Sequence, residues 1–212
     1  MNLPRKAPSF EPIDIPGPVG PLECLRLAAA TDYPHGIALV AHPNPLEGGT
    51  FTNQIVHPLA KTLSRRGYVA YCPNLRGVGK SAGTHERGIG EVDDMAAVLA
   101  FARNENPHLR RLLLAGFSFG TYVQAQLRER LAEEEVHGMI LVGPAVSRYD
   151  FPAVPTDTLV IHGEEDEVIP LTAVMDWARP HHLPVVVVPG TGHFFHGRLT
   201  RLAEIVARNL ND

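Results

Sequence analysis

Short apolar runs alternate along the chain with longer stretches in which apolar residues recur every three or four positions. Gly36–Ala41 (GIALVA) is continuously apolar and partly β-branched, which predicts a strand buried on both faces. In residues 52–66, Ile55, Leu59 and Leu63 stand four apart and predict one helix face, with Gly67 as the stop. Residues 68–71 begin a second strand that Pro73 closes. Residues 91–103 predict a helix through Val92, Met95, Leu99 and Ala102. Arg111–Phe117 predicts a strand, and residues 120–134 a helix through Val123, Leu127 and Leu131. Residues 139–142, 158–161 and 185–188 predict three further strands. Residues 171–178 predict a short helix, and residues 199–210 close the chain with Leu202, Ile205, Val206 and Leu210 in register.

Strands that alternate with helices imply right-handed crossovers and a parallel sheet covered on both faces, an α/β fold. The first 30 residues differ: residues 11–15 and 22–27, split by PGPVGP, predict a hairpin-like edge. No repeat, low-complexity tract or long linker interrupts the pattern, so residues 1–212 read as a single domain.

Composition narrows the function. At 44% hydrophobic and 20% charged, the 212-residue chain can bury a sizeable core. A net charge of −4, with Lys and Arg scattered, gives no nucleic-acid footprint. Cys24 and Cys72 have no metal-like spacing and form no disulfide framework, which fits a reducing, cytoplasmic setting. The N-terminal MNLPRKAPSFEP has a basic pair, but prolines and no apolar stretch follow it, unlike a secretory signal. No window approaches the roughly 18 consecutive apolar residues of a membrane span, so no membrane partner is expected.

One stretch carries chemistry. In LLLAGFSFGTY, the strand ends in Gly116-Phe117-Ser118-Phe119-Gly120, a G-x-S-x-G sequence at the junction with a helix. A nucleophile there needs a sharp turn that lifts its oxygen above the sheet, and side chains at the two glycines would crowd the backbone. The following helix sets free N–H groups beside the oxygen. A serine hydroxyl needs a base to take its proton, and in this arrangement an acid and then a histidine follow in the chain. LVIHGEEDEVIP ends a strand and offers Glu164, Glu165, Asp166 and Glu167. Asp166 lies a short loop beyond the strand and ahead of the helix that Pro170 starts, so it is the expected acid. VVVVPGTGHFFHG delivers His193 first after a Gly-rich turn, with His196 as its rival. The spacing of the two histidines suits zinc, but no third and fourth ligand stands nearby, so no metal and no cofactor is expected. The expected oxyanion donors are the backbone N–H groups of Phe119 and of Asn44, since Pro43 and Pro45 in HPNPLEGGT have none. His42 and His162 end strands beside the site and read as structural.

The segments HPNPLEGGT, NLRGVGKS, GFSFG, HGEEDEVIP and GTGHFFHGRL together resemble the α/β-hydrolase superfamily, and within it the small bacterial serine hydrolases related to dienelactone hydrolase. The resemblance implies a mostly parallel central sheet of about eight strands, helices on both faces and an antiparallel N-terminal edge. It also implies Ser118, Asp166 and His193 as the catalytic triad. Relatives often carry a histidine where this chain has Asn44, and dienelactone hydrolase uses a cysteine nucleophile, so lactone specificity does not transfer. Only GPAVSRYDFPAVPTD joins the strands ending near Val142 and starting near Thr158, too short and Pro-rich for a helical cap, so no lid domain is expected. An open site suits a small-molecule ester. Phe117, Phe119, Phe194 and Phe195 offer an apolar wall, with Leu46, Tyr149 and Phe151 as further pocket candidates.

The expected function is therefore a serine hydrolase that cleaves small carboxylic esters through an acyl-enzyme. The same apparatus serves a thioesterase or peptidase, and a binding module of the same fold is a separate class. A third reading comes from NLRGVGKSAG, which holds the Gly79-Lys80-Ser81 tail of a phosphate-binding loop. The full motif requires glycine where Asn74 stands and a helix directly afterwards, and loop-type residues follow instead. Arg76 is expected to anchor this loop by ion pairing.

Overall fold

A computed structural model describes residues 9–210, so the expectation that residues 1–8 hold no secretory signal lies outside the described residues. The sheet strands are β1 (Phe10–Gly17), β2 (Gly20–Leu27), β3 (Gly36–Ala41), β4 (Tyr68–Pro73), β5 (Arg111–Phe117), β6 (Gly138–Val142), β7 (Leu159–Gly163) and β8 (Val185–Val188). The helices are α1 (Val56–Arg65), α2 (Ile89–Glu105), α3 (Phe119–Glu129), α4 (Leu171–Ala178) and α5 (Leu199–Asn209). All eight strands join one sheet in the order β1-β2-β4-β3-β5-β6-β7-β8. β1 pairs antiparallel with β2, and β2 with β4, while every other pairing is parallel. The hairpin-like edge and the parallel remainder are as the sequence predicts.

Alternation along each strand splits the core into two layers. Ile37, Leu39 and Ala41 of β3 join Leu112 and Leu114 of β5 beneath α2 and α3. Ala38 and Val40 join Leu113, Ala115 and Phe117 beneath α1 and α5. Burial on both faces is why these strands read as unbroken apolar runs.

Three helix boundaries differ from the sequence pattern, each because a polar side chain takes over the backbone locally. α1 starts at Val56 rather than at residue 52, since Asn53 Oδ1 accepts the Ile55 N–H (2.8 Å) and turns the chain. α2 starts earlier, at Ile89, because the Glu91 carboxylate accepts the N–H groups of Gly88 (2.7 Å) and Glu86 (2.8 Å). α3 stops at Glu129 instead of residue 134, and Glu135 accepts the Ala132 N–H (2.8 Å) over a separate 3₁₀ turn. Between β6 and β7, residues 143–158 contain no helix or strand, so the fold has no lid. No described helix is long and apolar enough to cross a membrane.

Residues 74–88 form a tethered loop with no phosphate cradle. Asn74, at the position where the phosphate motif needs glycine, accepts the Phe51 N–H (2.8 Å) and donates to Glu23 (3.0 Å). The Ser81 hydroxyl donates to the Asn74 carbonyl (2.6 Å). Arg76 anchors the loop as expected: its side chain grips Asp94 through two nitrogens (2.8 and 3.0 Å) and Glu86 through a third (2.8 Å). Both Arg76 and Asp94 are buried, and Asp94 also accepts the Arg76 N–H (2.9 Å). His42, just after β3, ties the same loop from the other side. Its ring sits 2.7 Å from the Pro43 carbonyl through Nδ1, and Nε2 accepts the Leu75 N–H at 3.1 Å. That acceptor role requires a neutral ring protonated on Nδ1.

Two stability predictions follow from these contacts. Removing one partner of a buried, hydrogen-bonded ion pair strands the other charge. Asp94→Ala is expected to lower the unfolding free energy by about 3–5 kcal/mol in urea titrations, and the apolar double replacement Arg76→Met with Asp94→Leu by less than that single change. Burial pushes the His42 pKa down from 6.5 to about 4. Between those values the unfolded chain binds a proton that the fold refuses. Stability from His42 is thus complete above pH 6.5 and falls as the pH drops toward 4, by at most about 3 kcal/mol. Urea midpoints across this window should show the decline, and His42→Gln, which does not titrate, should flatten it.

Candidate active site

The turn from β5 into α3 is held by backbone contact. Ser118 adopts φ 52°, ψ −119°, in the region that side chains disfavour. A Cβ on Gly116 would stand 2.5 Å from the Gly120 carbonyl oxygen, and one on Gly120 would stand 2.4 Å from the Ala41 carbonyl oxygen. Both glycines are therefore required by close approach. The Ser118 N–H donates to the Val142 carbonyl (2.9 Å), and Thr121 donates its hydroxyl back to the Ser118 carbonyl. Gln124 in α3 donates to the carbonyls of Leu39 and Ala115 (both 2.9 Å), locking the helix to two strands.

The loops after β7 and β8 bring two more groups to this turn. His193 Nε2 lies 3.1 Å from Ser118 Oγ, and His193 Nδ1 lies 2.7 Å from Asp166 Oδ2. The carboxylate only accepts, so Nδ1 carries the ring proton and Nε2 is left to accept the serine hydroxyl. Asp166 Oδ1 accepts the N–H groups of Val168 (2.9 Å) and Ile169 (2.8 Å). Burial acts to raise the Asp166 pKa, but the bonds from His193 and the Ile169 amide overcome it and hold the carboxyl below its ordinary value. His162 Nε2 is 2.9 Å from the Ile169 carbonyl and 3.5 Å from Asp166, and burial lowers its pKa, which keeps it neutral there. Phe117 (4.9 Å between centroids) and Phe194 (5.1 Å) pack on the His193 ring. The rival His196 is exposed, 3.4 Å from Gln54 and in no contact with Ser118.

Ser118 opens into a cavity of about 280 Å³ whose walls include Phe119, Asn44, Leu46, Tyr149 and Ile169. Leu46 and Tyr149 stand where the sequence expects pocket residues. Phe117 and Phe194 do not line this cavity, which corrects their assignment. Phe117 shares the β5 face of Leu113 and Ala115 and is fully buried, and Phe194 lies against the imidazole. Phe195 is also fully buried. The amides of Asn44 and Phe119 donate to no acceptor among the described residues, and both residues face the cavity. The Asn44 side chain accepts the Leu46 N–H (3.0 Å) and starts a 3₁₀ turn.

Four polar residues on the same cavity, Glu47, His85, Arg87 and Arg148, carry no signal in the sequence. Their loops are far apart in the chain, and nothing periodic marks their convergence. His85 Nδ1 sits 2.7 Å from the buried Glu91 carboxylate, and its ring meets Phe119 edge-on at 5.3 Å. No group of three or more metal-ligating side chains occurs among the described residues.

Known proteins match this arrangement. The family model described as serine aminopeptidase, S33 matches residues 46–156, a stretch that includes Ser118. The crystal structure of a lidless α/β serine hydrolase from Xanthomonas campestris superposes with a TM-score of 0.87 at 34% identity, over 94% of this chain and 93% of that one. An α/β serine hydrolase homologue from Coxiella burnetii gives 0.86 at 37% identity, over 95% and 97%. A monoacylglycerol lipase of Mycolicibacterium smegmatis is 31% identical over 55% of this chain, which spans 40% of that protein's length. With relatives at this identity along nearly its whole length, the chain belongs to the α/β-hydrolase superfamily, as a lidless member of the serine hydrolase type.

Proposed function

We propose that the protein is a serine carboxylester hydrolase for small esters, working through an acyl-enzyme. The observation that carries this reading is the unbroken line of contacts from Asp166 through His193 to Ser118, ending in an open cavity. Ser118 Oγ attacks the ester carbonyl while His193 Nε2 takes the hydroxyl proton. The charge that develops on the carbonyl oxygen is met by the Phe119 and Asn44 amides. His193 then gives its proton to the departing alcohol, leaving the acyl group on Ser118. Water, deprotonated by His193, attacks that acyl group and releases the acid and the free serine. Asp166 holds the imidazole in the required tautomer and offsets its positive charge in the transition state.

Cavity size and the absent lid favour small substrates. About 280 Å³ lies at the lower end of ligand pockets, and no cap is present to grip a long chain. The relative named a monoacylglycerol lipase supports an ester substrate, while the family model described as serine aminopeptidase keeps an amide as the alternative. The buried free thiols of Cys24 and Cys72 fit a reducing compartment, and we place the enzyme in the cytoplasm.

A panel of 4-nitrophenyl esters of graded chain length tests this reading, and the shortest acyl groups should give the highest kcat/KM. Ser118→Ala should lose turnover on the order of 10⁶-fold and escape labelling by a fluorophosphonate that modifies the wild type. Asp166→Asn should lose about 10⁴-fold, through the wrong tautomer of His193. Near-normal turnover in either variant sinks the assignment, and failure of the wild type to label favours a binding module.

A further inference from the structure

Two arginines on the wall of the cavity beside Ser118 have no part in the ester chemistry. Arg87 and Arg148 both line it, from the loop before α2 and from the connection that replaces a lid. Arg26, Arg103, Arg130, Arg179 and Arg201 each form an ion pair with a carboxylate, while Arg65, Arg110, Arg111, Arg128, Arg198 and Arg208 form none among the described residues but do not line this cavity. Arg87 and Arg148 form none among the described residues. Among the described residues Glu47 is the one carboxylate lining the cavity, and it forms no ion pair with either arginine.

The Arg87 position is also built. Its backbone has φ 56°, in the left-handed region, which costs a side-chain-bearing residue of the order of 1 kcal/mol. The fully buried Glu91 carboxylate fixes the residue on either side, accepting the N–H groups of Glu86 and Gly88. The same carboxylate holds His85, whose ring forms the adjoining wall. A strained turn, held by the Glu91 carboxylate, thus places Arg87 on the cavity wall. Opposite it in sequence, Arg148 closes a turn onto the Ala145 carbonyl (3.0 Å). Its neighbour Tyr149 stacks on Tyr122 at 4.6 Å and leans on Phe119 at 5.5 Å.

Resting on the hydrolase reading above, we infer that the substrate carries a carboxylate in addition to its scissile ester, and that Arg87 and Arg148 bind it. A guanidinium pairs well with a carboxylate because two N–H groups match two oxygens. Such a group also orients the ester carbonyl toward Ser118 by holding the molecule at a second point. Glu47 disfavours an anionic group near the two arginines only weakly, being exposed, and the formal charge from these three side chains is positive.

The test uses two matched pairs of esters on the full-length enzyme, with spontaneous hydrolysis subtracted. In the first, mono-4-nitrophenyl glutarate is compared with its methyl ester, which places the anion on the acyl side. In the second, 4-acetoxybenzoate is compared with its methyl ester, which places it on the leaving side. The readout is the ratio of kcat/KM, anionic over neutral. In the wild type that ratio should reach about tenfold in at least one pair, since exposed guanidiniums give the lower end of charged hydrogen bonding, and it should shrink as salt is raised. In Arg87→Gln with Arg148→Gln it should fall to near one, while Arg110→Gln, at the far end of β5, should keep it. A wild-type ratio near or below one in both pairs, with the neutral esters still cleaved through Ser118, overturns the carboxylate subsite and leaves the hydrolase reading intact. A ratio that survives in the double variant overturns it equally. Cleavage of none of the four esters removes both readings.

Discussion

The close approach of α3 to the ends of β3 and β5 is the constraint on which the site depends. Two glycines permit it, and a helix backbone then stands where no Cβ fits. Ser118 is left at φ 52°, a conformation that costs of the order of 1–3 kcal/mol and persists only where its surroundings over-determine it. Here they do. The Ser118 N–H is tied to β6, its carbonyl is bonded by Thr121, and Gln124 bridges β3 and β5 from within the helix. The strain projects the hydroxyl out of the sheet edge and leaves the first helix amide without an acceptor among the described residues.

The partner side chains arrive by a different means. Parallel strands end on one edge of the sheet, so the loops after β7 and β8 emerge on the same edge as the one after β5, with β6 between. Each delivers its residue through local bonding. Asp166 captures two amides of its own loop with one oxygen and presents the other to His193. Those bonds keep the carboxyl ionised in a buried place where desolvation alone would favour the neutral form. The neighbouring His162 remains neutral and bonded to Ile169, so it does not compete for the Asp166 charge. Phe117 and Phe194 confine the imidazole between them, and Gly143 leaves room for its edge, 3.2 Å from where a Cβ would stand.

Much of this was legible in the chain because the signals were local. The strand limits of β3, β5 and β8 coincide with their apolar runs, and G-x-S-x-G announces its turn through glycines that only backbone proximity explains. Asp166 among four acids, and His193 ahead of His196, were legible from loop length and chain order. The pocket wall was not. In a strand buried on both faces, an apolar run hides which residues face which helix layer, and Phe117 fell on the α1/α5 side. Helix ends were obscured for a related reason. Asn53, Glu91 and Glu135 redirect the backbone through side-chain bonds that apolar periodicity does not register.

Arginine shows the same limit and what lies beyond it. Arg76 and Arg87 stand eleven positions apart on one loop, yet one is buried against Asp94 and the other is exposed at the cavity. The difference lies in their carboxylates. Asp94 faces the Arg76 guanidinium directly, whereas Glu91, three residues earlier on α2, turns its oxygens to the backbone amides around Arg87 and to His85. A lidless hydrolase cannot enclose its substrate, so it has little apolar area with which to discriminate. Fixed charge at the cavity wall supplies discrimination without enclosure, because an ion pair acts on an open surface as long as its geometry is held. The buried Glu91 carboxylate holds that geometry, and it does so from the first turn of the same helix that carries Asp94, the anchor of the loop's beginning.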